Sequence, residues 1–163
     1  MASDLELLAL AAVAQLQPLV TATPQSTAST GTPSSGTTET FDIVLGYYQC
    51  QLIAGRRYQA QMNGLIGNAG VAGDEYMLQI RDSGSSSNPT ASSTLVAQTQ
   101  WSSQTAGAPG RIPIYLANSF IASSTGTHTF GFSSTKIGGT GPFTPVSPAS
   151  LVRELFVVYL GAV

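Results

Sequence analysis

Residues 76–82, Tyr76-Met77-Leu78-Gln79-Ile80-Arg81-Asp82, decide the fold class. Tyr76, Leu78 and Ile80 alternate with Met77, Gln79 and Arg81. A period of two gathers the first three on one face of a strand. The stretch that follows, Asp82-Ser83-Gly84-Ser85-Ser86-Ser87-Asn88-Pro89, is turn chemistry and predicts a polar, mobile hairpin tip.

The same pattern recurs on both sides. Phe41, Ile43 and Leu45 alternate, as do Tyr58, Ala60 and Met62, and Ile112, Ile114 and Leu116. Pro113 lies inside the last run and removes a ladder donor, which predicts an edge strand. His128, Phe130 and Phe132 share a face opposite Thr127, Thr129 and Gly131. Residues 152–160 are the most apolar run and are expected at the centre of a sheet. With residues 47–53 and 94–101 the count reaches eight short runs separated by Gly, Ser, Asn and Pro. The fold class expected is all-β: a β-sandwich over residues 40–163, most simply an eight-stranded jelly roll.

Upstream the pattern changes. Residues 19–39 are rich in Ser, Thr, Pro and Gly, with no large apolar side chain between Val20 and Phe41. That composition predicts a flexible linker. Residues 1–18 predict a helix: Ser3 and Glu6 form a capping box, and Pro18 stops the ladder. Leu5, Leu7, Leu8, Leu10, Val13 and Leu16 are spread around all its faces. Such a helix needs cover on every side, so it is expected to anchor the chain to a partner or to its own copies, or to fold back on the sandwich. The apolar run is about a dozen residues, short of the ~20 that cross a bilayer. Acidic residues precede it where a secretory signal carries positive charge. The expectation is a protein made in the cytoplasm, with no membrane span.

Charge is scarce. Of 163 residues only 9% are Asp, Glu, Lys or Arg, and the net charge is −2. Ordinary soluble domains carry roughly 25%. Here 20 Ser and 18 Thr keep the surface wet instead. Without a basic patch, nucleic-acid binding is not expected. One Cys and one His exclude a Cys/His zinc site and an intrachain disulfide. No catalytic residues, metal or cofactor are expected.

The candidates for chemistry all have plainer explanations. Cys50 and His128 invite a thiol-protease reading, but each sits in a strand pattern, where a small core side chain is the simpler account. Asp74, Glu75 and Asp82 lie at the two ends of one strand, too far apart for one site, and are expected as solvated strand ends. Gly64, Gly67, Gly70 and Gly73 open no helix and so make no phosphate loop. Arg56-Arg57 is too short for a nucleic-acid patch. Trp101 and Tyr115 are candidates for stacking on a sugar near loops 82–90 and 101–110, with core or subunit interface as the alternative.

Four segments resemble small virion proteins of tailed phages that infect actinobacteria. They are Leu52-Ile53-Ala54-Gly55-Arg56-Arg57-Tyr58, Leu78-Gln79-Ile80-Arg81-Asp82-Ser83-Gly84, Thr125-Gly126-Thr127-His128-Thr129-Phe130, and Arg153 through Gly161. The resemblance covers residues 40–163 and implies a jelly-roll appendage, commonly a minor tail protein, with no catalytic residues to carry over. It also implies a homotrimer. The expected function is that of a structural virion protein, a minor tail or fibre-like appendage attached through its N-terminal segment. The alternatives are a capsid decoration protein or a carbohydrate-binding module for host attachment. Its expected partners are its own copies, other tail or capsid proteins, and host cell-surface glycans.

Overall fold

The computed structural model describes residues 39–41, 47–68, 73–102, 110–139 and 154–162. The expected helix at 1–18 with its leucines, and the expected linker up to residue 38, lie outside them. So do residues 103–109 and 140–153.

Eight strands follow in order: β1 (Thr40–Phe41), β2 (Tyr47–Leu52), β3 (Arg56–Asn68), β4 (Glu75–Asp82), β5 (Thr94–Ser102), β6 (Gly110–Ile121), β7 (Gly126–Gly138) and β8 (Glu154–Ala162). They form two antiparallel sheets. The first has the order β1-β7-β4-β5, with β2 also pairing with β7; the second is β6-β3-β8. β1 and β2 share one edge of β7: Phe41 pairs with Ser133 and Tyr47 with Gly131. The chain is all-β over the described residues, and the pair of sheets is consistent with a β-sandwich.

The period of two is what builds the core. Tyr58, Ala60 and Met62 of β3 are buried, as are Tyr76, Leu78 and Ile80 of β4 and Ile114 and Leu116 of β6. Phe130 and Phe132 of β7 and Leu155 and Val157 of β8 join them in one cluster drawn from both sheets. A large buried side chain contributes roughly 1.5–3 kcal/mol, so this shared cluster holds the sheets together.

Both open sides of the sheet pair are stitched by side chains. Asn118 of β6 donates to the Val96 carbonyl of β5 at 2.7 Å. On the other side the Tyr48 phenol of β2 hydrogen-bonds the backbone of Val157 in β8.

Pro113 sits on β6, at an edge of the second sheet as expected. The most apolar run does not sit at a centre. Among the described residues β8 pairs only with β3, so β8 is an edge strand and β3 the central one. Leu155 and Val157 of β8 belong to the core, while Leu160 is exposed. Gly64 and Gly67 fall inside β3, which runs unbroken to Asn68.

Candidate functional site

Three connections meet at one end of the sheets: 53–55, 83–93 and 122–125. Gly55 donates to the Ala122 carbonyl at 2.8 Å and Ala122 to the Arg56 carbonyl at 3.0 Å. Ala54 donates to the Thr125 hydroxyl at 2.9 Å.

Beneath these loops His128 and Asp82 meet. The β4–β7 register sets Asp82 opposite Phe130, two residues from His128 on the same face. The His128 Nδ1 lies 2.7 Å from Asp82 Oδ2. Asp82 Oδ1 accepts from the Gly84 amide at 2.8 Å, so one carboxylate closes the turn and orients the ring. The other ring nitrogen, Nε2, lies 3.2 Å from the Ser124 hydroxyl and 3.3 Å from the Ser124 carbonyl. With Nδ1–H given to Asp82, a neutral ring accepts from the Ser124 hydroxyl, and a protonated ring donates to its carbonyl.

Ser124, His128 and Asp82 thus stand in the order of an acyl-transfer triad. Sequence reading missed Ser124, which carries no local signal beyond its place four residues before His128. Catalysis would need the serine aimed at a substrate and donors set for an oxyanion. His128 is instead 2% exposed, and its ring stacks on Phe130 with centroids 6.4 Å apart. Its Nε2 is shared with the carbonyl of the same serine. This is the geometry of a fastener between the 122–125 connection and β4.

Cys50 pairs with His128 across β2 and β7. Burial first, and the Asp82 charge second, push its thiol from an ordinary 9.0 up to about 12. A thiol so held is a poor nucleophile near neutrality. The Tyr48 phenol is pushed from 10.0 up to about 12, by burial and then by Cys50, against the smaller pull of the Val157 backbone.

The expectation of solvated strand ends fails at both ends of β4. Asp82 is buried against His128, and Asp74 is buried at the far end. Asp74 Oδ2 accepts from the Tyr76 hydroxyl at 3.2 Å, and Asp74 Oδ1 lies 3.8 Å from Lys136 Nζ. Burial, then the Asp74 charge and hydrogen bond, hold the Tyr76 phenol far above its usual range. The two carboxylates are in separate clusters, as their spacing required.

The 83–93 connection lies back on the outer face of β7 and β2 instead of projecting as a free tip. Thr129 donates to the Ser85 carbonyl at 2.8 Å and the Ser83 amide to the Thr129 carbonyl at 2.9 Å. Pro89 is buried over Gly131; a Cβ there would come 2.7 Å from the Pro89 ring and within about 3 Å of Phe41 and Tyr47. Beside this patch Glu39 accepts from Arg81 at 2.6 Å and from the Ser133 hydroxyl.

Trp101 and Tyr115 are not neighbours on one strand or one sheet. Trp101, at the end of β5, is half-buried and stacks on Tyr76 with centroids 5.6 Å apart. Tyr115 on β6 is 65% exposed. Loop 82–90 and residue 101 lie at opposite ends of β5. The Arg56-Arg57 pair splits: Arg56 reaches the Tyr159 phenol at 3.3 Å, and Arg57 is exposed.

Among the described residues every buried side-chain N or O atom has a partner, and no three His, Cys, Asp or Glu side chains converge as a metal site would need. No described helix is long and apolar enough to cross a membrane. No family model matches the chain, and no curated protein matches it.

Proposed function

We propose that this chain is a non-enzymatic structural protein of a tailed-bacteriophage virion, a minor tail or fibre-like appendage. The observation that carries this reading is the nesting of its strand pairs. β4 pairs with β5, β3 with β6 and β2 with β7. These are the pairs made when one long hairpin of strands wraps over itself, the path of a jelly roll. β1 departs from the scheme by joining β7 instead of β8. The resemblance of segments 52–58, 78–84, 125–130 and 153–161 to phage virion proteins supplies the biology, and the charge-poor, hydroxyl-rich composition suits a surface exposed on a particle.

In this reading residues 1–18 are the anchor. Leu5, Leu7, Leu8, Leu10, Val13 and Leu16 enter a groove of a tail or capsid protein, or bundle across a homotrimer. Leu8→Asp with Leu16→Asp places two carboxylates in apolar contact, which is costly unless they are paired. The double variant should leave particles while its sandwich still melts cooperatively. Loading at wild-type occupancy would remove the helix as anchor. Antibody labelling of imaged particles separates a tail site from head decoration.

One observation favours a glycan-binding role at the same appendage: the exposed ring of Tyr115. An aromatic face of this kind stacks on sugar rings. Tyr115→Ala should abolish retention on host cell-wall glycan if the role is real, and unchanged retention excludes Tyr115 as the platform.

A further inference from the structure

At the end of the first sheet away from the connections, an acid and an amine are buried together. Asp74 immediately precedes β4, and Lys136 lies near the end of β7, in register with Tyr76. Asp74 is 1% exposed and Lys136 9%. Gly139, at φ +85°, lays its backbone against the acid: a Cβ there would stand 1.8 Å from Asp74 Oδ1 and 2.7 Å from its Cα. Tyr76, fully buried and stacked on Trp101, closes the site from the strand side. Lys136 Nζ stands 3.8 Å from Asp74 Oδ1, beyond hydrogen-bond length. Taking two opposite charges out of water is costly. The fold nevertheless holds the amine and the carboxyl face to face.

We propose that Lys136 and Asp74 condense into an intramolecular amide, a covalent cross-link between β4 and β7. A proton passes from the Lys136 ammonium to Asp74 Oδ1, leaving a neutral amine and a neutral acid. The Nζ lone pair adds to Asp74 Cγ and forms the C–N bond. The developing charge collects on Oδ2, where the Tyr76 hydroxyl already donates at 3.2 Å. The Cγ–Oδ1 bond then breaks, and Oδ1 leaves as water with its own proton and one from nitrogen. Oδ2 remains as the amide carbonyl, still held by Tyr76. No oxidant or co-reactant is needed. Holding both groups in one buried site makes the step intramolecular, which removes the cost of bringing an amine and an acid together. The product replaces two buried charges by one neutral amide. It also ties together two strands of a chain whose single cysteine permits no internal disulfide.

The intact mass of the folded, full-length protein tests this directly. It should fall short of the sequence mass by one water, and Lys136→Arg should restore the full mass. Trypsin cannot cut at an acylated lysine, so a digest should join peptide Tyr58–Arg81 to peptide Ile112–Arg153. A cooperatively melting wild-type protein at full sequence mass would overturn the proposal. So would a water loss that maps to any other pair of residues. The outcome is independent of the virion reading, since either can fail while the other stands.

Discussion

The Arg81 guanidinium donates to the Glu39 carboxylate at 2.6 Å, and both side chains are largely buried on the outer face of the first sheet. Arg81 also reaches the Ser93 carbonyl at 2.8 Å. Glu39 therefore connects the segment leading into β1 to the connection between β4 and β5. A chain starting at residue 37 should melt cooperatively with a β-type circular dichroism spectrum. A chain starting at residue 40 leaves Arg81 without its carboxylate and should be less stable by about 3 kcal/mol, the scale for breaking a buried pair. Equal midpoints in urea for the two chains would show that the pair contributes nothing.

Gly131 is needed for contact space, with Pro89 above it. A methyl group at this position meets the Pro89 ring at 2.7 Å and the Phe41 and Tyr47 rings at 3.0 and 3.1 Å. Gly131→Ala should cost about 1–3 kcal/mol, the usual range for overpacking. It should also expose the 83–93 connection to proteases that spare the wild type. An unchanged melt would mean that the connection shifts without loss.

These two contacts show where the sequence was legible. Strand-like runs in the sequence overlap each of the eight strands among the described residues, and the period-two runs do so because a face buried against one core leaves that signature. Pro113 marked an edge for a local reason, its missing N–H. The position of β8 was not legible: a strand apolar on both faces reads as central, and nothing local distinguishes a neighbouring strand from an opposing sheet edge. The burial of Asp74 and Asp82 was equally hidden. Their partners, Lys136 and His128, stand on β7, more than forty residues away, and only strand pairing brings them close. The 83–93 connection looked mobile because Ser and Gly fill it, yet Thr129 and Gly131 of β7 provide its seat.

The His128 fastener has a distinct mutational signature. His128→Ala leaves a cavity and an unpaired Asp82 carboxylate, and should cost about 3 kcal/mol. Ser124→Ala removes one exposed hydroxyl and should cost less than about 1 kcal/mol. Ser124 should also resist fluorophosphonate labelling. Stoichiometric labelling that disappears in His128→Ala would establish a reactive serine and defeat the fastener reading.

Alkaline pH should weaken the fold. The Cys50 thiol rises from 9.0 to about 12 and the Tyr48 phenol from 10.0 to about 12 on folding. A group raised in the folded state contributes stability fully below its unfolded value and loses it as pH climbs toward the folded one. The contribution of these two groups should therefore be constant below about pH 9 and be lost between about 9 and 12. Cys50→Ala should flatten the first part of that decline, between about pH 9 and 10. Native Cys50 should also alkylate far more slowly at pH 8 than in denaturant; equal rates would contradict its burial.

The central claim, a structural place in a virion, is most directly tested by quantitative mass spectrometry of gradient-purified particles from a culture that produces this protein. The account predicts the peptides Asp82–Arg111 and Glu154–Val163 at a fixed copy number per particle, a multiple of three, retained through repeated banding. Peptides found only in the infected-cell lysate and absent from banded particles would contradict it.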